Sequence, residues 1–241
     1  TFIIHKDNNL YLQDCIITDE KPKETDTPIT SDGCDTCYYS SWGNWSADGK
    51  YYATVLIKPA PKRYVTYTLS SPTDQVQPKY SKQEYSKPGD SLNYRIPVII
   101  DVENKKVIRP TSTALFASQY NVSAPWWDAN GKTVTFEFNE RGHKTYSVLE
   151  MNLKGEVKTL IEEKNDKYIN YNRQRRIDQK DGKHIVWTSE RDGRNHIYLY
   201  GLQHGKACRQ VTMGEYYVRG IQHVDEENRL IYFSACGMNK I

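Results

Sequence analysis

The sequence of 241 residues lacks several patterns that would place it in a familiar class of protein. It has no run of 18 apolar residues, so no segment is long enough to cross a bilayer as a helix. No stretch shows sustained helical periodicity, so a helical body is not expected. The nucleophile pentad G-x-S-x-G and the phosphate loop G-x-x-x-x-G-K-[ST] are both absent. No signal-peptide pattern opens the chain.

Charge and acidic residues also argue against several functions. The net charge of +3 gives no case for a nucleic-acid partner. The doublets Glu162-Glu163 and Glu226-Glu227 are expected at a strand end and in a turn, where carboxylates are normally solvated, and no two acidic residues stand out as a catalytic pair. We therefore predict no catalytic residue and no cofactor in this chain.

Five cysteines are present, namely Cys15, Cys34, Cys37, Cys208 and Cys236. Cys34 and Cys37 form a C-x-x-C, but no second such pair or paired histidines follow at a zinc-binding spacing. A local disulfide and two unrelated thiols remain as alternatives, and no metal site is predicted. The six scattered histidines are expected to be surface residues of strands and turns.

A strand–turn–strand pattern recurs along the chain. Its turns are Asp48-Gly49-Lys50, Asn130-Gly131-Lys132, Asp181-Gly182-Lys183 and Glu227-Asn228-Arg229. Gly suits these turns because it takes positive φ without a Cβ clash. Gly131 and Gly182 are 51 positions apart, and Gly182 and Asn228 are 46 apart; a four-stranded propeller blade needs roughly 40 to 50 residues.

This period predicts an all-β chain built as a β-propeller, with about five blades of a probable eight-bladed ring. Gly49 and Gly131 are 82 positions apart, which predicts an irregular insertion near residues 59–95. Residues 2–4 and 9–12 are expected to be the last two strands of an earlier blade. Since both chain ends fall within blades, residues 1–241 are expected to be part of one propeller domain. An ordinary β-sandwich is the alternative fold.

An ordered set of motifs resembles the dipeptidyl peptidase IV branch of the prolyl oligopeptidase family of serine peptidases. Trp45-Ser46-Ala47-Asp48-Gly49-Lys50 is similar to its W-S-P-D-G-K blade motif. The run from Trp187 to Gly193, followed by His196-Ile197-Tyr198, resembles its W-T-S-E-R-D-G-x-x-H-L-Y stretch. Similar matches occur at Asn8–Tyr11, at Tyr85–Asp90 and at Arg209–Val218.

The resemblance implies an N-terminal propeller that gates access to the active site of a C-terminal α/β-hydrolase domain, which carries a Ser-Asp-His triad and is absent from this chain. It also implies a peptide substrate, a possible homodimer and a periplasmic or secreted location. A stand-alone propeller acting as a periplasmic interaction module is the main alternative function. A carbohydrate-active propeller is a weaker one, because no acid pair supports it.

Two further expectations come from the resemblance. The family holds the substrate's amino group with a Glu-Glu pair before the first W-S-P-D-G-K turn, whereas residues 31–45 here contain no Glu; this departure questions the removal of dipeptides from free N-termini. The family also places propeller arginines near substrate carbonyls. Arg173 and Asn172, with Arg175 as an alternative, are the predicted substrate-binding residues, although a basic run of this kind is more commonly a solvated loop.

Overall fold

A computed structural model describes residues 2–16, 23–128, 131–173, 176–202 and 206–238. This part of the chain is almost entirely β-structure, with two short 3-10 turns at Ala114–Phe116 and Tyr171–Arg173. No helix in the described ranges has the length and apolar character that a membrane crossing requires.

The described residues contain twenty strands. They are β1 Phe2–Lys6, β2 Asn9–Ile16, β3 Lys23–Pro28, β4 Tyr38–Trp45, β5 Tyr51–Lys58, β6 Tyr64–Leu69, β7 Lys79–Glu84, β8 Tyr94–Asp101, β9 Lys106–Ile108, β10 Gln119–Val122, β11 Trp126–Trp127, β12 Thr133–Glu140, β13 Thr145–Asn152, β14 Val157–Lys164, β15 Arg176–Asp178, β16 His184–Ser189, β17 His196–Gly201, β18 Lys206–Gln210, β19 Tyr217–Asp225 and β20 Leu230–Cys236.

The strands form five antiparallel blade sheets and one separate hairpin. In chain order the blade sheets are β1-β2-β3, β4-β5-β8-β9, β10-β12-β13-β14 with β11 beside β12, β15-β16-β17-β18, and β19-β20. The predicted all-β propeller with about five blades is confirmed. The first blade differs in detail from the prediction, because the two expected strands are followed by a third, β3.

The turn motif forms for a local reason that is clear at residues 46–51. The Ser46 hydroxyl donates to Asp48 over 2.7 Å and accepts the Tyr51 amide over 2.9 Å, while Asp48 accepts the Lys50 amide. Gly49 has φ of +70°, which a residue with a side chain rarely adopts. The Ser-x-Asp-Gly-Lys order therefore closes the turn with its own side chains.

The predicted insertion lies between the second and third strands of the second sheet, and its middle is the regular hairpin β6–β7. Its far end is shorter than predicted, since Tyr94 and Arg95 already belong to β8. Arg141 donates to the carbonyl of Asp90 over 2.6 Å, which ties the insertion to the β12–β13 turn of the third sheet.

Both faces of the inner strands are buried, each against a different neighbouring sheet. In β16, Ile185 and Trp187 pack with Val148 of the third sheet, whereas Val186 packs with Val218 of the fifth sheet. The two faces of this strand therefore serve different neighbours, and neither face meets solvent. Burying one aliphatic side chain in such a seam contributes about 1.5–3 kcal/mol.

A buried polar network crosses the seam between the third and fourth sheets. Glu163 of β14 is 7% exposed and accepts hydrogen bonds from Trp187 Nε1 at 3.0 Å and from the Ser189 hydroxyl at 2.9 Å. Arg191, in the turn after β16, pairs with the same carboxylate and lies over the ring of Tyr198. The Trp-Thr-Ser-Glu-Arg motif thus supplies three partners for one acid on another sheet.

Arg191 stays protonated in this network. Burial alone would lower the pKa of Arg191, but the hydrogen bond with Tyr200 and the nearby charge of Glu163 raise it. Burial, with help from Asp192, raises the pKa of Tyr198 to about 12, so the ring under Arg191 carries no charge at neutral pH.

Two expectations about single residues are wrong. Glu163 is not solvated, because the strand end that carries it is covered by the fourth sheet. His196 is not a surface residue: it is 1% exposed, and its ring nitrogens lie 3.2 Å from the Thr212 hydroxyl and 3.1 Å from the Gly214 carbonyl. In both cases the covering groups come from another part of the chain.

Strand direction divides the loops between two faces of the propeller. In each four-stranded sheet the link to the next sheet and the turn between the second and third strands lie at the same end. We call this end the connection face. It carries the links at 29–37, 165–173 and 211–216 and the second-to-third-strand segments at 59–93, 141–144 and 190–195.

We expect Glu163→Gln to lower the free energy of unfolding by about 2 kcal/mol or more, because it leaves a partly buried Arg191 without its counter-charge. The matched control is Glu162→Gln, whose carboxylate is exposed and pairs with Lys164 at 2.8 Å; an exposed pair contributes about 0–1 kcal/mol. Urea unfolding of the two variants gives the comparison. Equal destabilisation by both would show that the network does not hold the seam.

Candidate functional site

A cluster of four rings lies on the connection face at the end of the third sheet. Tyr120 is the second residue of β10, the first strand of that sheet. His143 lies in the β12–β13 turn, and Tyr168 and Tyr171 lie in the link to the fourth sheet. Chain direction brings all four to one end of the sheet, although Tyr120 and Tyr171 are 51 positions apart in the sequence. We refer to them as the ring cluster.

His143 is the centre of the ring cluster. Its ring stacks on Tyr171 with centroids 4.6 Å apart and an interplanar angle of 29°. Tyr120 and Tyr168 meet it edge-on at 4.6 and 5.6 Å. Tyr120 and Tyr168 are 41% and 47% exposed, so the cluster presents aromatic edges and hydroxyl groups to solvent.

Backbone hydrogen bonds hold the link against the turn that carries His143. The Ile169 amide donates to the His143 carbonyl over 2.7 Å, and the Asn165 amide donates to the Lys144 carbonyl over 2.9 Å. The Asn165 side chain accepts the amides of Lys167 and Tyr168, a local turn that Asn favours. The rings are therefore positioned by a fixed backbone.

Electrostatics make His143 a neutral polar group. Burial lowers the pKa of its imidazole, and its Nδ1 lies 3.0 Å from the buried Asn139 side chain. The hydrogen bond to Tyr120 and partial burial raise the pKa of Tyr171. At neutral pH the cluster offers hydroxyl donors and an imidazole acceptor without formal charge.

A cleft of about 380 Å³ borders the ring cluster. It lies between the insertion and the start of β10, and Tyr120 belongs to both features. The charged groups in its wall are Lys62, Glu84 and Arg95, and the Lys62 and Glu84 side chains lie 3.4 Å apart. The site thus combines a shallow polar cleft of slightly positive charge with an aromatic edge.

Two of the three substrate-binding residues predicted from the sequence, Asn172 and Arg173, lie beside this site. Asn172 and Arg173 occupy the 3-10 turn that begins at Tyr171, so they follow the ring cluster directly along the chain. Asn172 is exposed. Arg175 lies outside the described residues. Their role in binding stays a prediction.

The stretch that lacks the family's Glu-Glu pair contains two aspartates, and both have partners. Asp32 accepts hydrogen bonds from Tyr39 at 2.6 Å and from Arg109. Burial alone would raise the pKa of Asp32, but these two hydrogen bonds and the charge of Arg109 hold it below its usual value. Asp35 accepts from Asn8 at 2.9 Å.

A bulge in β4 exposes Trp42. The register passes from Tyr39 opposite Leu56 to Gly43 opposite Thr54, which leaves residues 40–42 facing a single partner. The buried Thr54 hydroxyl lies within hydrogen-bond distance of the Ser40 and Trp42 carbonyls, at 2.9 and 2.7 Å. Trp42 is 81% exposed. Bulges of this kind often redirect a side chain near a functional site.

The ring cluster and Trp42 were not found by the sequence reasoning. The closely spaced tyrosines at 168 and 171 were a local signal, but Tyr120 and His143 come from distant segments. A three-residue bulge leaves no mark in the alternation of β4. Among the described residues, no three His, Cys, Asp or Glu side chains are grouped in a way that would hold a metal ion.

Three of the solved structures with a similar architecture can be compared with this chain. Dipeptidyl peptidase 4 from Porphyromonas gingivalis is 18% identical with a TM-score of 0.68, over 98% of this chain and 35% of that chain. A Bacteroides ovatus protein provisionally named dipeptidyl aminopeptidase IV is 15% identical with a TM-score of 0.64, over 97% and 36%. Puromycin hydrolase is 12% identical with a TM-score of 0.50, over 89% and 29%.

These likenesses establish the fold, and the chain spans about a third of the length of the two dipeptidyl peptidase-like structures. The family evidence comes from the sequence itself. It matches the family described as the dipeptidyl peptidase IV (DPP IV) N-terminal region over residues 1–240. The chain belongs to this family of dipeptidyl peptidase IV N-terminal regions.

Proposed function

We propose that the chain is the propeller of a serine peptidase similar to dipeptidyl peptidase IV, and that its connection face gates the active site and contributes to binding of the peptide substrate. The observation that carries the proposal is the family match over nearly the whole chain. The proposed partner is an α/β-hydrolase domain of the same protein, which supplies the nucleophilic serine. Formation of a homodimer and a periplasmic or secreted location belong to the same proposal.

The chemistry of the connection face supports contact with a peptide. An extended peptide offers backbone amides and carbonyls, which need acceptors and donors of the kind that His143 and the tyrosine hydroxyls provide. Asn172 and Arg173 follow Tyr171 directly in the chain, and we propose that their amide and guanidinium groups contribute to peptide binding. Tyr and Trp side chains bind such ligands well because they offer a large rigid surface with a polar end.

The partners of Asp32 and Asp35 argue for a particular substrate preference. A buried ammonium group needs carboxylates that are available to it. Both carboxylates in the stretch 31–45 already serve as acceptors for groups of this chain. We propose that the substrate is not held here by its free amino terminus, and that Trp42 offers an apolar surface in the same stretch.

We expect this chain alone to hydrolyse no peptide, whereas the full-length natural protein is labelled by a fluorophosphonate probe at a serine outside residues 1–241. Peptide mapping after labelling locates the serine, and chromogenic X-Pro dipeptides and their N-blocked forms test activity. Turnover by residues 1–241, or a full-length protein with no reactive serine, contradicts the proposal. The latter result would favour the stand-alone interaction module.

In the full-length protein, Asn172→Ala and Arg173→Ala are each expected to raise KM for peptide substrates by about 10-fold with little change in kcat. The reason is loss of a hydrogen bond to the substrate worth about 1–2 kcal/mol. Lys154→Ala is the control. Lys154 is exposed in the β13–β14 turn, at the end of the third sheet that is opposite to the connection face. Steady-state kinetics measure KM for each variant. KM values equal to that of the control would show that neither residue contributes to substrate binding.

His143 should make the fold less stable in acid. Its folded pKa is below the ordinary value of 6.5, so the unfolded chain takes up the proton first, and the stability that neutral His143 contributes is lost as the pH falls through 6.5. The difference in unfolding free energy between the parent and His143→Gln is expected to be larger at pH 7.5 than at pH 5.5. A difference that grows in acid would contradict a buried neutral imidazole.

A further inference from the structure

Cys34 and Cys37 face each other across a two-residue turn. The Cys34 amide donates to the Cys37 carbonyl over 2.7 Å, and the Cys37 amide donates back over 2.9 Å. Hydrogen-bonded partners of this type have Cα atoms about 5.5 Å apart. That separation is within the range of about 4.4–6.8 Å that a disulfide spans. The backbone is thus already arranged for a bond between the two sulfur atoms.

The two thiols differ in the way that a reactive pair requires. Cys34 is exposed, and its sulfur lies 3.3 Å from the Thr36 hydroxyl; that hydrogen bond lowers the pKa of the Cys34 thiol. Cys37 packs against the apolar seam between the first and second sheets, and burial raises the pKa of its thiol. An accessible thiol that ionises more readily, beside a shielded one, is the arrangement of an attacking and a resolving cysteine.

The backbone around the pair is held from both sides. On one side Asn8 donates to Asp35, and Gly33 lies so close to the Asn8 carbonyl that a Cβ there would be 2.1 Å from its oxygen. On the other side Tyr39 and Arg109 hold Asp32. The turn therefore keeps the two cysteines opposite each other whether or not they are bonded.

We propose that Cys34 and Cys37 are a redox-active dithiol, oxidised to a disulfide by a low-molecular-weight or protein disulfide. The Cys34 thiolate attacks one sulfur of the oxidant, which forms a mixed disulfide and releases the first thiolate. Cys37 then loses its proton and attacks the Cys34 sulfur, which forms the 34–37 bond and releases the second thiol. The two cysteines lose two electrons and two protons, and the oxidant becomes two thiols.

The test is a titration of the full-length natural protein with mixtures of reduced and oxidised glutathione, followed by alkylation and peptide mapping. The peptide that contains residues 34–37 is expected to change reversibly from a form with two alkylated cysteines to an unalkylated disulfide, which is two hydrogen atoms lighter than the free dithiol. Cys15 and Cys236, which lie on other sheets, are the internal controls and should remain free of an intramolecular bond. Two alkylated thiols at every ratio would overturn the proposal.

Single variants separate the two roles. Cys37→Ser should trap glutathione on Cys34 as a stable adduct, because no resolving thiol remains. In Cys34→Ser, glutathione should modify Cys37 about tenfold or more slowly than it modifies Cys34 in the parent. The reason is that Cys37 is shielded. Cys15→Ser serves as the matched variant with an intact pair. Equal rates at the two positions, or no adduct in Cys37→Ser, would contradict the assignment of attack to Cys34.

Discussion

The structure depends on the packing of each inner sheet between the two sheets beside it. Because each blade meets only the blades beside it, stability is a sum of seams rather than the property of one central core. The four apolar clusters follow this rule, since each joins residues of two consecutive sheets. A strand such as β16 therefore carries apolar residues at consecutive positions, with Ile185 and Trp187 serving one neighbour and Val186 serving the other.

The seam between the third and fourth sheets adds a charged pair to this plan. Apolar contacts allow one sheet to slide against another, whereas Glu163 accepts from Trp187, Ser189 and Arg191 at fixed positions. A buried pair of this type adds little net stability compared with apolar packing, but breaking one partner is costly. We therefore interpret the Trp-Thr-Ser-Glu-Arg motif as a structural feature that fixes how the third and fourth sheets pack against each other.

The sequence predicted the features that depend on contacts between residues close together in the chain, and it missed those that depend on contacts between distant residues. Turns such as 46–51 close with their own side chains, and strands such as β12 and β13 are neighbours in the chain, so a local pattern reveals them. Glu163 looked solvated because its partners lie 24 to 28 residues away on another sheet. His196 was misplaced for the same reason, since the residues around its ring come from the link at 211–216. The ring cluster is assembled from three separate segments, and no single window of sequence contains it.

The seams between the sheets and the loops of the connection face play different parts in this fold. The sheets are fixed by seams that any propeller needs, whereas the connection face carries the long insertion, the ring cluster and the cysteine turn, whose loops can vary without disturbing those seams. Arg141 joins these elements, because it ties the insertion to the turn of His143. A change in the insertion would therefore reach the ring cluster through one short loop. This coupling makes the third sheet's end of the connection face the place where the ring cluster and the position of the insertion are most closely linked.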